Sequence, residues 1–236
     1  MSDVANRQTA PVVDCAGVSR TYQEDAVPVQ ALRGVDFQFS RGEFASLSGP
    51  SGSGKSTLLN LIGGLDRADE GAIAVDGVAP NGLSESELSD LRLRRIGFVF
   101  QSYNLIPVLS AQENVEFIMQ LQGVARGERA ERAVECLASL GIAELAHRRP
   151  GELSGGQQQR VAIARAIVTD PVLLLADEPS ANLDSGTTEE LLKLLRRLNH
   201  ERGISILTAT HDPMVMSYAK RRVVLRDGAI VEDSAH

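Results

Sequence analysis

Short apolar runs separated by amphipathic stretches recur along most of this chain. Four of these runs hold few polar residues and are typical of strands buried on both faces of a parallel sheet; they occupy residues 44–47, 96–100, 172–176 and 204–209. Between the last two runs, leucines at positions 191, 194, 195 and 198 follow the spacing of one helix face, which predicts a helix over 187–198. Strands that alternate with helices in this way predict an α/β fold built on a mostly parallel sheet.

A different pattern precedes this core. Residues 12–22 and 31–39 are predicted to be strands, and in the second of them apolar and polar residues alternate from Val35 to Phe39, as in a half-buried strand. Residues 23–28 are polar and predict a turn between the two strands. We therefore expect a small antiparallel β subdomain at the N-terminal end of the fold.

A third pattern interrupts the parallel core. From about residue 101 to 167 the β-branched residues become sparse and helical periods dominate, which predicts an inserted helical subdomain. The predicted organisation is a disordered tail over 1–10 followed by a single domain over 11–236. The core of that domain is expected at about 11–100 and 168–233.

The overall charge argues against nucleic acid as a partner. The 236 residues carry a formal net charge of -7 with a pI of about 5.2, whereas nucleic-acid binders usually present a basic patch. No apolar run approaches the roughly 20 residues that span a bilayer, and residues 1–10 lack the apolar stretch of a signal peptide. We therefore expect a cytoplasmic protein that reaches a membrane only through a partner. The two cysteines, Cys15 and Cys136, are far apart and are expected to be small apolar fillers.

The most informative stretch follows the first apolar run and fits the phosphate-binding pattern G-x-x-x-x-G-K-[ST]. It consists of Gly49, Pro50, Ser51, Gly52, Ser53, Gly54, Lys55, Ser56 and Thr57. A predicted strand precedes it and a predicted helix follows, a context that disfavours the alternative of a chance Gly/Ser-rich turn. Glycines let backbone N–H groups turn toward an anion, and the helix N-terminus directs its dipole at the same phosphates. We expect Lys55 to contact the β- and γ-phosphates of ATP, Ser56 to bind Mg²⁺, and Thr57 to add a phosphate contact.

The other groups needed to hydrolyse a nucleoside triphosphate follow the remaining apolar runs. Asp177 and Glu178 follow the third run, where Asp177 is a candidate ligand of Mg²⁺ and Glu178 a candidate general base for the attacking water. Gln101 follows the second run and is a candidate for sensing the γ-phosphate or contacting Mg²⁺. His211 follows the fourth run and is a candidate for bonding the γ-phosphate and orienting Glu178. Taken singly, each has a structural alternative, such as a solvated strand end for the carboxylates and a packed side chain for the histidine.

A second candidate anion site is formed by Leu153, Ser154, Gly155, Gly156 and Gln157. Ser154 is a good N-cap, and the two glycines expose backbone N–H groups at a helix start. A site on a separate helical subdomain does not easily serve the phosphate that the first loop holds. A head-to-tail pair of chains solves this problem, since the second site of each chain then closes on the ATP held by the other.

With these motifs in this order, the chain resembles the ATP-binding cassette (ABC) ATPases over nearly its whole length. The resemblance identifies the phosphate loop with 49–56, the Q-loop glutamine with Gln101, the signature with 153–157, Walker B with 172–177, the D-loop with 180–184 and the switch histidine with His211. It implies that Asp184 of the D-loop belongs to the nucleotide-binding residues and that Glu178 is the base. Tyr22 falls where this family places its adenine-stacking aromatic, although a tyrosine at a strand end can also simply cover core surface.

Within this family the chain resembles the branch that holds the lipoprotein-releasing, macrolide-export and cell-division ATPases. The resembling stretches are 49–60, 63–66 and 96–105. The chain departs from the expected pattern at Ser180-Ala181, where Thr-Gly is expected before the asparagine, in the Thr-Ala-Thr that precedes His211, and at Gln158, where Glu is common. None of these departures removes a catalytic group.

The resemblance implies an ATP-binding and hydrolysing subunit of an ABC-type membrane transport complex, which couples ATP-driven dimerisation to movement of a separate permease. It implies ATP and Mg²⁺ as cofactors, a head-to-tail homodimer, and a location on the inner face of the cell membrane. A cytoplasmic helix of the permease is expected in the groove beside Gln101, with Tyr103 and Leu105 nearby. One alternative is a cell-division-type regulatory ATPase that signals through a permease-like partner. Another, a soluble ABC ATPase acting on nucleic acid or the ribosome, is disfavoured by the acidic charge and by the lack of a long coiled-coil insertion or a second cassette.

Overall fold

The structure, a computed structural model, describes residues 10–24 and 27–234. Residues 1–9 of the predicted tail and 25–26 of the predicted turn lie outside the described residues. In chain order the strands are β1 (Val13–Glu24), β2 (Val27–Phe39), β3 (Phe44–Ser48), β4 (Glu70–Val75), β5 (Ile96–Val99), β6 (Leu173–Asp177), β7 (Ser205–Ala209), β8 (Arg221–Arg226) and β9 (Ala229–Asp233). The α-helices are α1 (Lys55–Ile62), α2 (Glu85–Arg95), α3 (Ala111–Leu121), α4 (Arg126–Ser139), α5 (Gly155–Ile167), α6 (Ser185–Arg202) and α7 (Pro213–Tyr218). No helix within the described ranges combines the length and the apolar character that crossing a membrane requires.

The strands form two sheets of different kinds. An antiparallel sheet has the order β2-β1-β4. The second sheet has the order β5-β6-β7-β3-β8-β9, in which the pairs from β5 to β8 are parallel and the last pair is antiparallel. The helices α3, α4 and α5 are inserted between β5 and β6. These observations confirm the predicted fold class, an α/β core of mostly parallel sheet with an N-terminal antiparallel sheet and a helical insertion.

One predicted boundary was wrong. The strands extend into the turn expected over 23–28, because Gln23 pairs with Pro28 and Glu24 with Val27 in the antiparallel ladder. Polar residues permit this extension, since ladder hydrogen bonds join backbone groups whatever the side chains are. The helix α5 begins at Gly155, because a capping box between Ser154 and Gln157 places both glycines in its first turn.

The strand β6 separates two hydrophobic clusters, because successive side chains of a strand point to opposite faces of its sheet. Leu174 and Ala176 belong to the cluster that joins α3, α4, α5 and α6 to the sheet. Leu173 and Leu175 belong to the cluster shared with α1 and the antiparallel sheet. Parallel strands end at one edge of a sheet, so the residues that follow β3, β5, β6 and β7 are brought close together there.

Both cysteines are buried and free, which confirms the prediction that they are apolar fillers. Burial raises the pKa of the Cys15 thiol to about 12 and that of Cys136 to about 11. Because the thiolate is the reacting species, a raised pKa lowers the reactive fraction at every pH below it. We expect iodoacetamide at about pH 8 to label both residues at least ~100-fold more slowly in the native protein than in guanidinium chloride. Mass spectrometry of the adducts over time measures this ratio, and rapid native labelling of either cysteine would contradict the expectation.

Candidate active site

The phosphate-binding loop connects β3 to α1, and its glycines shape it. Gly49, Gly52 and Gly54 have φ values of 144°, 77° and 102°, which side-chain-bearing residues rarely adopt. A Cβ at Gly54 would also lie 2.5 Å from the carbonyl oxygen of Ala31 in β2. The path of the loop therefore favours glycine at all three positions, and at Gly49 and Gly54 the motif itself specifies it.

Lys55 begins α1 with its side chain folded back over this loop. Its ammonium donates hydrogen bonds of 2.9 Å to the carbonyl oxygens of both Gly49 and Pro50, and the residue is only 8% exposed. No carboxylate in the described part of the chain forms an ion pair with it. A largely buried cation held only by neutral carbonyls provides a positive charge for an anion in the loop.

Ser56 and Asp177 bring two oxygen ligands together beside the loop. The Ser56 hydroxyl donates a hydrogen bond of 3.0 Å to Asp177 Oδ1, at the end of β6. Burial raises the pKa of the Asp177 carboxyl, and the hydrogen bond from Ser56 acts in the opposite direction. A hydroxyl and a carboxylate are oxygen ligands of the kind that Mg²⁺ prefers, so this pair fits the ion that the sequence predicts.

Glu178 follows β6 in an unusual conformation that directs its carboxylate toward His211. Its φ of 46° lies in the left-handed region, and its N–H donates to the Ala209 carbonyl at 2.9 Å. The carboxylate accepts a hydrogen bond of 2.7 Å from His211 Nδ1 and a longer one, 3.4 Å, from the Thr210 hydroxyl. Backbone strain of this kind concentrates at functional sites, and here it sets the position of a proton-accepting group.

Tyr22 lies within β1, where it pairs with Val29. Its side chain lines a cavity together with the phosphate-binding loop. Its hydroxyl donates a hydrogen bond of 2.7 Å to Asp66, and the Arg20 guanidinium lies 4.8 Å from the ring centroid. Arg20 also forms two hydrogen bonds to the Asp66 carboxylate, at 2.9 and 3.1 Å. The ring is thereby fixed by two neighbours that the sequence did not reveal. Burial raises the pKa of the Tyr22 hydroxyl, so it is a neutral donor at physiological pH.

Most of the predicted site residues line one cavity of about 660 Å³. Its lining includes the loop residues Gly49, Pro50, Ser51, Gly52, Ser53, Gly54, Lys55, Ser56 and Thr57 together with Tyr22, Gln101, Glu178 and His211. Asp177 joins this group through its hydrogen bond to Ser56. Chain segments that are distant in sequence therefore meet at the carboxyl edge of the parallel sheet.

The signature residues Ser154, Gly155, Gly156 and Gln157 are not among the residues that line this cavity. The Ser154 hydroxyl accepts from the Gln157 N–H at 3.3 Å, and the Gln157 side chain accepts from the Ser154 N–H at 2.9 Å. Asp184 also lies outside the cavity lining and caps α6, accepting from the Thr187 N–H and hydroxyl at 3.0 and 2.6 Å. Within the described part of one chain, these residues therefore lie outside the cavity that the phosphate loop forms.

Two side chains that sequence reasoning missed connect the separate motifs. Asn182 donates a hydrogen bond of 2.9 Å to the Gln101 carbonyl. Gln159, fully buried on α5, donates one of 2.6 Å to the Pro179 carbonyl beside Glu178. Each bond joins segments far apart in sequence, so no local pattern predicts either one.

A second cavity of about 390 Å³, here called the side groove, lies between α2, the end of β5, α3 and α5. Its apolar lining includes Leu93, Phe98, Phe100 and Ile118, and the rings of Phe98 and Phe100 stack with centroids 5.7 Å apart. The groove adjoins the segment that carries Gln101, since Phe100 and Asn104 line it. Tyr103 and Leu105, expected nearby, are the sequence neighbours of Asn104 and are not themselves in the lining.

Comparisons with known proteins agree with this geometry. Residues 32–181 match the family model described as ABC transporter. The chain is 48% identical over 219 residues to an uncharacterized ABC transporter ATP-binding protein of Thermotoga maritima, covering 93% of each chain. It is 46% identical over 237 residues to the lipoprotein-releasing system ATP-binding protein LolD of Anaeromyxobacter dehalogenans, covering 99% of this chain and 98% of that protein.

The similarity extends to a longer relative and to solved structures. The chain is 47% identical over 228 residues to the macrolide export ATP-binding/permease protein MacB of Hyphomonas neptunium, but spans only 35% of the length of that protein. The dimeric structure of a bacterial ABC transporter cassette superposes with a TM-score of 0.87 at 43% identity, covering 94% of this chain and 97% of that one. A second structure with the same TM-score is a post-hydrolysis state of such a dimer, bound to ADP and Pi.

Proposed function

This chain is an ATPase of the ABC transporter family, and we propose that it drives a membrane permease by closing two copies of itself around ATP and then hydrolysing it. The observation that carries the proposal is the convergence of Lys55, the Ser56–Asp177 pair and the Glu178–His211 pair at one cavity. A phosphate-binding cation, ligands for a metal ion and a proton acceptor are the groups that nucleotide hydrolysis needs.

In this proposal the phosphates of ATP lie in the loop that ends at Thr57, and Lys55 exchanges its loop carbonyls for β- and γ-phosphate oxygens. Ser56, Asp177 and Gln101 hold Mg²⁺, which neutralises phosphate charge when it is bound. The support is the hydroxyl–carboxylate pair already formed at 3.0 Å and the lining of the cavity by Gln101. The adenine stacks on Tyr22, and Arg20 and Asp66 hold that ring in place.

Glu178 is proposed to take the proton from the attacking water. Its carboxylate is held by His211 at 2.7 Å, and this bond fixes both its position and the tautomer of the histidine, since the nitrogen that faces the carboxylate carries the proton. His211 itself is 73% exposed at its side chain, so its other nitrogen is free to contact the γ-phosphate. The two residues thus act together.

The second half of each site is proposed to come from the partner protomer. Ser154, Gly155, Gly156, Gln157 and Asp184 lie outside the cavity of their own chain, and the first four form a capped helix start of the kind that binds anions. A head-to-tail dimer would present them to the γ-phosphate held by the other copy. The dimeric state of a cassette that is 43% identical supports this arrangement.

The permease is proposed to dock in the side groove, whose apolar lining adjoins the segment that carries Gln101. The printed names of the relatives support a membrane function, because one is an ATP-binding/permease protein for macrolide export and another belongs to a lipoprotein-releasing system. The acidic charge of -7 does not favour nucleic acid. We therefore propose a location at the inner face of the cell membrane.

A pull-down tests this proposal directly. Tagged Glu178→Gln protein is purified from detergent-solubilised membranes in Mg-ATP, and its partners are identified by mass spectrometry. We expect a membrane permease to be enriched over the matched control Glu189→Gln, which changes an exposed carboxylate on α6. Recovery of ribosomal or DNA-bound proteins with no membrane protein would overturn the proposal.

A further inference from the structure

The segment after β5 contains two neighbouring residues in the left-handed region. Tyr103 and Asn104 have φ values of 59° and 49°, a conformation that is uncommon for residues other than glycine. Hydrogen bonds within the turn join the Tyr103 N–H to the Phe100 carbonyl at 3.1 Å and the Asn104 N–H to the Ser102 carbonyl at 2.6 Å. Gln101 lies inside this turn, so its position depends on whatever holds the turn in place.

Arg165, on α5, holds this turn from the outside. Its guanidinium donates one hydrogen bond of 2.5 Å to the Asn104 carbonyl and another of 3.0 Å to the Tyr103 carbonyl. No carboxylate in the part of the chain that the structure describes pairs with it. Burial lowers the pKa of this guanidinium, although an arginine remains charged in a protein. Arg165 is therefore a partly buried cation whose partners are two neutral carbonyls.

The side groove exposes this same cation to an incoming partner. Its described lining contains two arginines, Arg92 and Arg165, and no acidic side chain. Among the described residues, Arg92 likewise donates only to neutral groups, the Gly64 carbonyl at 2.5 Å and the Ser89 hydroxyl at 2.9 Å. An apolar groove with uncompensated cations in its wall is complementary to an apolar segment that carries a carboxylate.

We propose that a carboxylate on the docking segment of the permease pairs with Arg165, withdraws it from the Tyr103 and Asn104 carbonyls, and so releases the turn that holds Gln101. This inference rests on the proposed function, in which the permease occupies the side groove. A carboxylate displaces the carbonyls because it carries a negative charge and accepts two parallel N–H bonds from the guanidinium, whereas each carbonyl is neutral and accepts one. Arg165 is thus a positioning residue that affects hydrolysis only through Gln101.

A second bond determines how the released segment moves. Asn182 holds the Gln101 carbonyl at 2.9 Å from the loop after β6, and this bond does not involve Arg165. When Arg165 withdraws, Gln101 remains attached at that end while Tyr103 and Asn104 become free. The expected result is a local change in the position of Gln101 rather than unfolding of the segment.

Two model peptides test the charge requirement without a known permease. Each is a fluorescein-labelled helical peptide of about eighteen leucines and alanines, long enough to be helical in water, with a single central Glu in one and Gln in the other. We expect the Glu peptide to bind the wild-type chain at least ~10-fold more tightly than the Gln peptide. The difference should disappear in Arg165→Gln and persist in Arg94→Gln, a control on α2 outside the groove lining. Equal binding of the two peptides to the wild type, or no binding of either, would overturn the proposal.

Hydrogen exchange and kinetics test the positioning role. The Glu peptide should speed exchange of the Tyr103 and Asn104 amides at least ~10-fold, while the Gln peptide leaves it unchanged. Arg165→Gln should show fast exchange without peptide and a lower kcat with KM for ATP within about twofold, and Arg165→Lys should recover part of both. Unchanged exchange in the wild type with the Glu peptide would refute the release step even if the variants fold poorly. A pull-down that recovers no permease would instead contradict the proposed function, which is coupling to a permease. The two proposals therefore fail in different experiments.

Discussion

Replacing Glu178 by Gln is expected to reduce ATP turnover about 100- to 10,000-fold, the usual contribution of a general base, while ATP binding is retained. Gln matches Glu in size, and its amide oxygen still accepts the hydrogen bond that His211 Nδ1 now donates at 2.7 Å. The variant therefore keeps the position of the side chain and loses only its ability to take a proton from water. Phosphate release measures turnover, and equilibrium binding of labelled ATP measures affinity.

The same variant is expected to accumulate as a dimer in Mg-ATP, because ATP that is not hydrolysed continues to join the two protomers. Light scattering after gel filtration measures the mass. Glu189→Gln, which alters a carboxylate paired with Lys193 on the surface of α6, should keep wild-type turnover. Wild-type turnover of Glu178→Gln would exclude it as the base, and a monomer at saturating Mg-ATP would contradict the shared site.

The groups of the candidate site that a local pattern encodes could be predicted from the sequence. Lys55 and Ser56 belong to a fixed spacing of glycines, and Asp177 ends an apolar run whose length marks a buried strand. Parallel strands end at one edge, so the pairing of β3, β6 and β7 brings these groups to one place once the fold class is known. The hydrogen bond between Ser56 and Asp177, 121 residues apart in sequence, is a consequence of that topology.

The groups that could not be predicted act through contacts between distant segments. Asp66 bonds Arg20 and Tyr22 across 46 and 44 residues of sequence, and Arg165 reaches the turn after β5 across more than 60. Every residue has a backbone carbonyl, so the sequence does not show which residues an arginine of this kind bonds. The left-handed φ of Glu178 also cannot be predicted from the sequence. A glycine such as Gly54 indicates that a positive φ is possible, whereas a glutamate does not. Local sequence patterns thus indicate the candidate reacting groups better than the groups that position them.

Replacing Lys55 by Ala is expected to weaken ATP binding about 10- to 100-fold, the equivalent of one lost hydrogen bond to a charged group. Turnover at saturating ATP should fall at least about 100-fold, because the ammonium also stabilises charge that develops on the transferred phosphate. The ammonium now bonds the Gly49 and Pro50 carbonyls, which line the open cavity and can bond water in its absence. The fold should therefore tolerate the change.

The matched control for this prediction is Lys193→Ala, which removes an exposed lysine from α6 and leaves the cavity intact. Isothermal titration with ATP and a phosphate-release assay on both variants separate the binding loss from the catalytic loss, and thermal melting verifies that both are folded. Retained wild-type turnover in a folded Lys55→Ala protein would contradict the assignment of the loop as the phosphate site. A loss of turnover with unchanged ATP affinity would mean that Lys55 stabilises only the charge that develops during hydrolysis. The phosphates would then be bound mainly by the backbone amides of the loop and by the N-terminal dipole of α1, which faces the same loop.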